Sequence, residues 1–482
     1  QRQSRATREA FLSSYKSRLA MFILRQRLAQ LSHEAQPRVM SASCRAGSFY
    51  VTTEKDAFAL NLGLMPNNPQ AGIDAAIEIV EKARRYGFTE AELEHAKVQH
   101  TVNIEHRLDN KNKTRNAEYA KKIVSSFCGD EPCMNIEYEA ALEAEFSASV
   151  TLDDINKTMK EMVDNQNQVC IVFGPTKYDG KPYTMPSADQ FRTWIENAQQ
   201  REYTNDNTAQ QVDPVFMKKL PKKGKILSKH AAANGYTEYL LSNGIKVSAR
   251  QSDIEPNRLI INMFRMGGRS LYPDTDAPTL QFLGSVVKES GAADFDFLTL
   301  EKKRRGKALR VVPYIDDEEE GVKGVCVASD LKTWLQIMYL YLTNPRKDKA
   351  IFHNMIAKQQ SMLRNRNASP NVTYNDSLRV AVYGQRKRTQ PLTADRLSEV
   401  SFDRIYQIYH ERFGNLAGMH LIVTGDIRQD DFEELLCQYV ASLPGKKNTN
   451  NDCKPGPYTL DIQEGKVTKV FHKEMATPSA QT

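Results

Sequence analysis

The sequence predicts an α+β protein built from a repeated domain. Two apolar runs meet at Asn243-Gly244, which is a hairpin signal. A further apolar run, 259–266, ends at a Gly-Gly pair and precedes a helical pattern over 279–288. The pattern of residues 150–173 also recurs at 400–423, which indicates duplication of a unit that mixes helix and strand.

The hairpin lies in Tyr-Leu-Leu-Ser-Asn-Gly-Ile-Lys-Val-Ser, residues 239–248. An Asn-Gly pair between alternating apolar residues is the strongest short-range signal for a tight hairpin, because both central residues of that turn have positive φ. We therefore expect Asn243 and Gly244 both to adopt a left-handed backbone conformation.

The repeat has an offset of 250 residues, since Val150-Thr-Leu-Asp-Asp-Ile155 aligns with Val400-Ser-Phe-Asp-Arg-Ile405. The register continues from a capped helix into an apolar strand, and both strands are followed by glycine. A duplicated domain explains this better than coincidence. The aligned strand positions are Val169, Ile171 and Phe173 with Met419, Leu421 and Val423.

These features resemble the M16 (pitrilysin/insulinase) metallopeptidases. The resemblance rests on Leu-Ser-Asn-Gly-Ile-Lys-Val (241–247), a strand that ends in Gly-Gly-Arg, and a helix about ten residues later. Thr89-x-x-Glu-Leu-x-x-Ala-Lys before a long helix is also similar to that family. The resemblance implies repeated M16 (LuxS/MPP-like) metallohydrolase-type domains, each an antiparallel sheet with helices packed on one face.

The zinc motif of that family, H-x-x-E-H, does not occur in this chain. Gln281-Phe-Leu-Gly-Ser285 stands where an active domain has His-Phe-Leu-Glu-His, so the apolar pair is kept and the three chemical residues are replaced. H-E-x-x-H also fails at His33 and at His410. His95, His100 and His106 are five and six residues apart, which places them on different helix faces. We expect no catalytic residue and no metal ligand in this chain.

A length of 482 residues predicts two to four domains. A hydrophobic content of 40% is typical of a globular protein. The sequence contains no run of eighteen apolar residues, so it predicts no membrane-spanning helix. The net charge of +7 comes from 66 basic and 59 acidic residues, and the basic runs 302–305 and 385–388 have no interleaved aromatic residues. A mixed solvated surface is therefore favoured over nucleic-acid binding.

Seven cysteines without a C-x-x-C pair argue against a zinc ribbon. Cys128 and Cys133 flank a short Gly-Asp-Glu-Pro segment and could close a disulfide loop in an oxidising compartment. The sequence leaves this pairing open. Cys170 and Cys326 lie in apolar strands, where we expect small core residues.

Local patterns predict the remaining elements. Thr89 to Glu92 is a capping box, and Thr151 to Asp154 caps a later helix. Residues 10–36 form one long helix that Pro37 ends. The other predicted elements are strands at 40–51 and 57–65, an amphipathic helix through 73–83, a helical region at 115–147, a strand at 169–173 and a short helix at 188–199.

We predict four segments: an N-terminally truncated C-terminal-type M16 domain at 1–185, a linker at 186–235, an inactive peptidase-like domain at 236–446, and a linker with the first strand of a following domain at 447–482. The strand 466–480 is expected to pair with the first domain, in this chain or a neighbour, because a lone edge strand seeks a partner.

The resemblance implies that this chain is the non-catalytic portion of a bacterial zinc peptidase. This portion would enclose and bind unfolded peptide. An upstream M16 domain of the same protein would carry the zinc and hydrolyse the peptide. Arg25, Tyr50 and Arg269 are the candidate peptide contacts, chosen by position. A non-enzymatic M16-like scaffold subunit is the alternative. A periplasmic or secreted location is implied by resemblance alone, and a homodimer is left open.

Overall fold

A computed structural model describes most of the chain, in two compact units. The described residues are 7–34, 36–49, 55–129, 132–174, 176–178, 181–205, 213–254, 257–304, 306–364, 370–427, 429–445, 454–460, 462–466, 468, 470 and 472. Unit 1 comprises residues 1–213 with 304–308, and unit 2 comprises 214–303 with 309–482. No helix in these described ranges is both long enough and apolar enough to cross a membrane.

Unit 1 is mainly helical around one β-hairpin. Its elements are α1 (Arg8–Gln30), β1 (Val39–Ser48), β2 (Asp56–Leu64), α2 (Pro69–Tyr86), α3 (Glu90–Asp109), α4 (Asn116–Gly129), α5 (Ile136–Ser149), α6 (Leu152–Met162), β3 (Lys177–Tyr178), β4 (Lys181–Pro182) and α7 (Ala188–Gln200). β1 and β2 pair antiparallel, as do β3 and β4.

Side-chain caps set the helix starts of unit 1. The Thr89 hydroxyl accepts from the Glu92 amide while the Glu92 carboxylate accepts from the Thr89 amide at 2.9 Å, so the predicted capping box is formed. Thr151 and Asp154 form the same reciprocal pair at the start of α6. Gly87 ends α2 with a φ of 72°, a conformation that favours glycine.

The core of unit 1 lies between α1 and the helices and strands around it. Leu19, Leu24 and Leu28 of α1 are fully buried. α1 packs against β1, α3 and α6. His100 belongs to this core, since its ring lies 5.9 Å from that of Tyr15 and 6.1 Å from that of Phe22.

His100 makes unit 1 sensitive to acid. Burial, together with the charges of Arg18 and Arg25, lowers its pKa from 6.5 to about 4. The unfolded chain therefore binds a proton on His100 as pH falls below 6.5 while the folded unit does not, so stability is lost between pH 6.5 and 4. We expect His100→Gln to reduce the stability lost from pH 7 to pH 5 by about 1 kcal/mol, after allowance for partial solvent exposure.

Urea unfolding followed by Trp194 fluorescence in a Trp334→Phe background measures this effect, because Trp194 and Trp334 are the two tryptophans of the chain and Trp194 lies in unit 1. His106→Gln, at an exposed position on the same helix, is the control and should leave the pH dependence unchanged. Equal losses in wild type and His100→Gln would contradict the assignment.

Unit 2 is a mixed domain with a large sheet. Its elements are β5 (Ile226–Ala231), β6 (Thr237–Leu241), β7 (Lys246–Gln251), β8 (Arg258–Met266), α8 (Ala277–Ser290), α9 (Phe297–Lys303), β9 (Leu309–Ile315), β10 (Glu319–Val327), α10 (Leu331–Thr343), α11 (Lys349–Arg364), α12 (Pro370–Tyr383), α13 (Phe402–Phe413), β11 (His420–Gly425) and α14 (Gln429–Leu435), which continues into a π-helical turn, Leu436–Val440.

The seven strands of unit 2 are ordered β5-β6-β7-β11-β8-β10-β9, and every neighbouring pair is antiparallel except β11 with β7. Along β8, Leu259, Ile261 and Met263 are buried while Ile260 is 49% exposed. This alternation turns one face of the strand to the helices. Helices α8 and α10 pack on β9, and α13 packs on α8. The predicted α+β fold with an antiparallel-rich sheet is confirmed.

The hairpin between β6 and β7 forms, but the predicted backbone of Asn243 is wrong. Gly244 has a φ of 84°, whereas Asn243 is not among the described residues with positive φ. The Asn243 side chain instead donates to the carbonyls of Val440 at 2.8 Å and Leu443 at 3.1 Å. The turn is closed by the Gly244 amide, which donates to the Leu241 carbonyl at 3.0 Å, and the Asn243 side chain anchors it to residues 440–443.

One further local prediction is wrong and another is confirmed. Residues 168–174 carry no strand, and Cys170 within them is exposed rather than a core residue. The short helix predicted at 188–199 is formed as α7, whose Phe191 and Ala198 are buried in unit 1, and the predicted linker 186–235 also contains β5, which pairs with β6. The domain boundaries themselves remain a prediction.

Other predictions hold or fall outside the described ranges. Cys326 is 2% exposed in the core. Cys128 and Cys133 are both free thiols. Of the predicted strand 466–480, only four residues are described, and none of them is in a strand.

Candidate functional site

The end of β8 is held by backbone geometry that requires glycine. Gly267 and Gly268 have φ values of 138° and 58°. The Gly267 amide donates to the Glu318 carbonyl at 2.7 Å, and a Cβ on Gly268 would lie 2.5 Å from the Asp316 carbonyl oxygen. This close approach anchors the segment that leads to α8 against the β9–β10 turn.

A buried ionic triad lies beneath this turn. Glu320 Oε1 accepts from Arg265 Nε at 3.0 Å and from Arg412 Nη2 at 2.5 Å. The side chains of Glu320 and Arg265 are 0% and 1% exposed. Glu320 also accepts from the Gly268 amide, and Arg265 donates to the Asn415 carbonyl at 3.0 Å. These partners occupy the carboxylate, so the triad is a structural link between β8, β10 and the end of α13.

Helix α8 carries the segment that aligns with the zinc motif. Phe282 and Leu283 are buried in the core, whereas Gln281 and Ser285 are exposed. Gly284 lies over β9, and a Cβ placed there would be 3.1 Å from the Pro313 carbonyl oxygen. Zinc prefers imidazole, thiolate and carboxylate ligands. Gln281 offers an amide, Ser285 a hydroxyl and Gly284 no side chain, so these three positions do not fit zinc.

His420, on β11, has structural partners. His420 Nε2 lies 2.8 Å from Ser248 Oγ, and its ring stacks on Phe264 at 5.9 Å. Burial lowers the pKa of His420. Across the described ranges, no group of three His, Cys, Asp or Glu side chains is arranged to hold a metal ion. The fit to zinc therefore fails for this part of the chain.

The structure describes two of the three predicted peptide contacts, Arg25 and Arg269. Arg25 is exposed on α1 in unit 1, and its Nε donates to the Cys44 carbonyl at 3.0 Å. Arg269 follows Gly268 in unit 2, and its Nη1 lies 3.6 Å from an Asp317 carboxylate oxygen. Tyr50 lies outside the described residues. The role of these residues stays a prediction.

An arginine–carboxylate cluster in front of α8 was missed by sequence reasoning. Arg388 Nε donates to Asp274 Oδ1 at 2.6 Å, and Arg386 contacts both oxygens of the same carboxylate. Burial alone would raise the pKa of Asp274, but the hydrogen bonds from Arg386 and Arg388 outweigh it and hold that pKa below its usual value. The signal available in the sequence was the basic run 385–388, which does not indicate its partner 114 residues away.

The same arginines bind a strap of chain near the C-terminus. Arg388 Nη1 donates to the Tyr458 carbonyl at 2.6 Å, and Arg386 Nη1 donates to the Thr459 carbonyl at 2.7 Å. The Tyr458 amide in turn donates to the Ser270 carbonyl at 3.0 Å. Residues 456–459 therefore lie across the segment between β8 and α8. The basic run serves an internal contact.

Comparison with known proteins identifies relatives over most of the chain. The probable zinc protease PqqL of Haemophilus influenzae is 22% identical over 452 residues, covering 90% of this chain and 46% of that protein. A zinc protease PQQL-like protein of Arabidopsis thaliana is 20% identical over 411 residues, covering 82% of this chain and 39% of that protein. No family model matches the chain.

The chain is thus similar to zinc proteases over most of its length. It spans less than half the length of these two curated relatives. Among solved structures, the ferredoxin protease FusC, a mutant in complex with Arabidopsis ferredoxin, has a TM-score of 0.50 and 14% identity, covering 91% of this chain and 48% of that chain. That likeness shows a shared fold.

Proposed function

We propose that this chain is a non-catalytic portion of an M16-type zinc metallopeptidase. It forms part of the wall that encloses a peptide and binds unfolded polypeptide, while another M16 domain of the same protein holds the zinc and hydrolyses the substrate. The observation that carries this proposal is the state of α8, where Gln281, Gly284 and Ser285 replace the three chemical residues.

Packing around α8 supports a structural role for the helix. The position of Gly284 faces the β9 backbone too closely for a larger side chain to enter without a shift of a few tenths of an ångström. Phe282 and Leu283 still build the core. The helix therefore keeps its packing function without the groups that chemistry at this position requires.

The element order supports the proposed duplication of one M16 domain. In unit 1, α1 is followed by the β1–β2 hairpin, further helices and the capped helix α6. In unit 2, α8 precedes the β9–β10 hairpin, which further helices and the capped helix α13 follow. The two capped helices are the segments that align at an offset of 250 residues.

Peptide binding would use backbone hydrogen bonds at a sheet edge. β5 and β9 are the outer strands of the seven-stranded sheet. A peptide that adds to such a strand gains affinity from its main chain, so its side-chain preference stays loose. Arg25, Tyr50 and Arg269 remain the proposed side-chain contacts. A periplasmic or secreted location is part of the proposal, and nucleic-acid binding is not.

Zinc content and peptide hydrolysis test this function directly. The 482-residue chain and the polypeptide that its gene encodes are each analysed for zinc and for cleavage of a quenched, unstructured peptide. We expect neither bound zinc nor cleavage in the 482-residue chain, and both in the longer protein. Zinc-dependent cleavage by the 482-residue chain alone would overturn the proposal.

Binding is measured separately from cleavage. Reduced, carboxymethylated α-lactalbumin is permanently unfolded, and native α-lactalbumin is its matched control. We expect the 482-residue chain to bind the unfolded form at least about tenfold more tightly, because only that form can offer an extended main chain. Equal binding of both forms would contradict a peptide-enclosing role.

A scaffold without proteolytic function is the second candidate, and the same replaced positions on α8 favour it. The two candidates differ in what the rest of the protein does. The scaffold is selected if the polypeptide that the gene encodes does not cleave peptides, whether or not it binds added zinc.

A further inference from the structure

Residues 168–174 of unit 1 present apolar side chains to solvent at alternate positions. Val169, Ile171 and Phe173 are 72%, 71% and 91% exposed. Val172 between them packs against the small cluster that includes Phe191. Apolar residues at alternate positions are typical of a β-strand that buries one face.

Among the described residues, the main chain of this segment has no strand partner. In the part of the chain that the structure describes, residues 168–174 form no strand, and no backbone hydrogen bond links them to another segment. Unpaired main-chain groups beside an apolar row are a template for strand addition.

The aligned segment of unit 2 shows what covers such a row. Met419, Leu421 and Val423 are 0%, 0% and 1% exposed. β11, which carries the last two, lies between β7, to which it is parallel, and β8, to which it is antiparallel. In unit 2 both of these covering strands precede α8 along the chain.

We propose that residues 168–174 are the docking edge for a β-ribbon whose two strands take the places that β7 and β8 take around β11. The ribbon carries alternating apolar residues that cover Val169, Ile171 and Phe173. Its source is the portion of the protein that corresponds to the unmatched half of the curated relatives, of which this chain covers 46% and 39%.

The proposal rests on the duplication and is independent of whether the protein hydrolyses peptides. It explains why apolar alternation is kept in a segment that forms no strand here. It also accounts for the small sheet of unit 1, because an isolated two-stranded hairpin such as β1–β2 is marginal without further strands or helix packing.

Amide hydrogen exchange of residues 168–174 tests the proposal. It is measured on the 482-residue chain and on the polypeptide that its gene encodes. We expect fast exchange in the 482-residue chain and exchange at least about 100-fold slower in the longer polypeptide, because strand pairing protects these amides. Equally fast exchange in both would overturn the proposal.

Phe173→Asp is the variant, and Phe127→Asp on α4 is its matched control, since both phenylalanines are 91% exposed. Both variants should leave the stability of the 482-residue chain within about 0.5 kcal/mol of wild type, because each changes an exposed side chain. In the longer polypeptide, Phe173→Asp should reduce the protection of 168–174 at least about tenfold, and Phe127→Asp should not. Equal effects of both would contradict docking at this edge.

Two other occupants are separate outcomes of the same measurement. Protection in the 482-residue chain that rises with protein concentration would assign the edge to a second copy and overturn the proposed source. Protection that requires carboxymethylated α-lactalbumin would assign it to a peptide substrate, with the same consequence. Neither readout depends on zinc or cleavage, so failure here is distinct from failure of the proposed function.

Discussion

Replacing Glu320 by alanine is expected to lower the free energy of unfolding of unit 2 by about 3–5 kcal/mol. Glu320 is fully buried and forms ion pairs with both Arg265 and Arg412. Its removal leaves two guanidinium groups near one another without a carboxylate, and the Gly268 amide loses its acceptor. An unpaired buried charge costs far more than the net contribution of the intact pair.

Urea unfolding followed by Trp334 fluorescence, in a Trp194→Phe background, reports on unit 2 because Trp334 is buried on α10. Glu318→Ala, at an exposed position in the same turn, is the control and should change stability by less than about 0.5 kcal/mol. Replacement of all three triad residues by apolar side chains should restore most of the loss. A loss below about 1 kcal/mol in Glu320→Ala would show that the triad does not carry this link.

Replacing Trp334 by alanine is expected to cost unit 2 about 3–5 kcal/mol as well, for a different reason. The indole is 0% exposed, and its Nε1 donates to the Arg310 carbonyl at 2.8 Å across to β9. Alanine leaves a cavity between α10 and the sheet and removes that hydrogen bond. Calorimetry and far-ultraviolet circular dichroism measure the loss, since the variant has no tryptophan in unit 2.

Trp334→Phe separates the two contributions. It keeps most of the buried ring and removes only the donor, so we expect a loss of about 1–2 kcal/mol. Trp194→Ala is the matched control in unit 1, where the side chain is half-buried and should contribute less. Equal losses for Trp334→Phe and Trp334→Ala would mean that the hydrogen bond, rather than the packing, carries the effect.

Local sequence patterns predicted most of the elements because their causes are local. The Thr89–Glu92 and Thr151–Asp154 caps act within one helical turn, and both are formed. Periodicity predicted α1 from residue 10, and the structure has α-helix over Arg8–Gln30, followed by one tighter turn, Leu31–His33. The predicted strands 40–51 and 57–65 correspond to β1 and β2 within one or two residues over their described parts.

The absence of H-x-x-E-H was likewise a property of the sequence alone. Gln281, Gly284 and Ser285 on α8 supply no imidazole, thiolate or carboxylate, whatever packs around them. The structure added that Gly284 faces the β9 backbone and that Gln281 and Ser285 are exposed. The peptide contacts Arg25, Tyr50 and Arg269 were chosen by position alone, because no local sequence pattern shows what a surface arginine or tyrosine binds.

By itself, the sequence determined the helix caps and the absence of H-x-x-E-H. The tertiary structure decided features that depend on distant partners. Asn243 forms bonds to Val440 and Leu443 instead of a left-handed turn, and Arg386 and Arg388 bind Asp274 rather than solvent. The apolar segment 168–174 forms no strand. A strand exists only when another strand supplies its hydrogen bonds, so its formation depends on the partner as much as on its own residues.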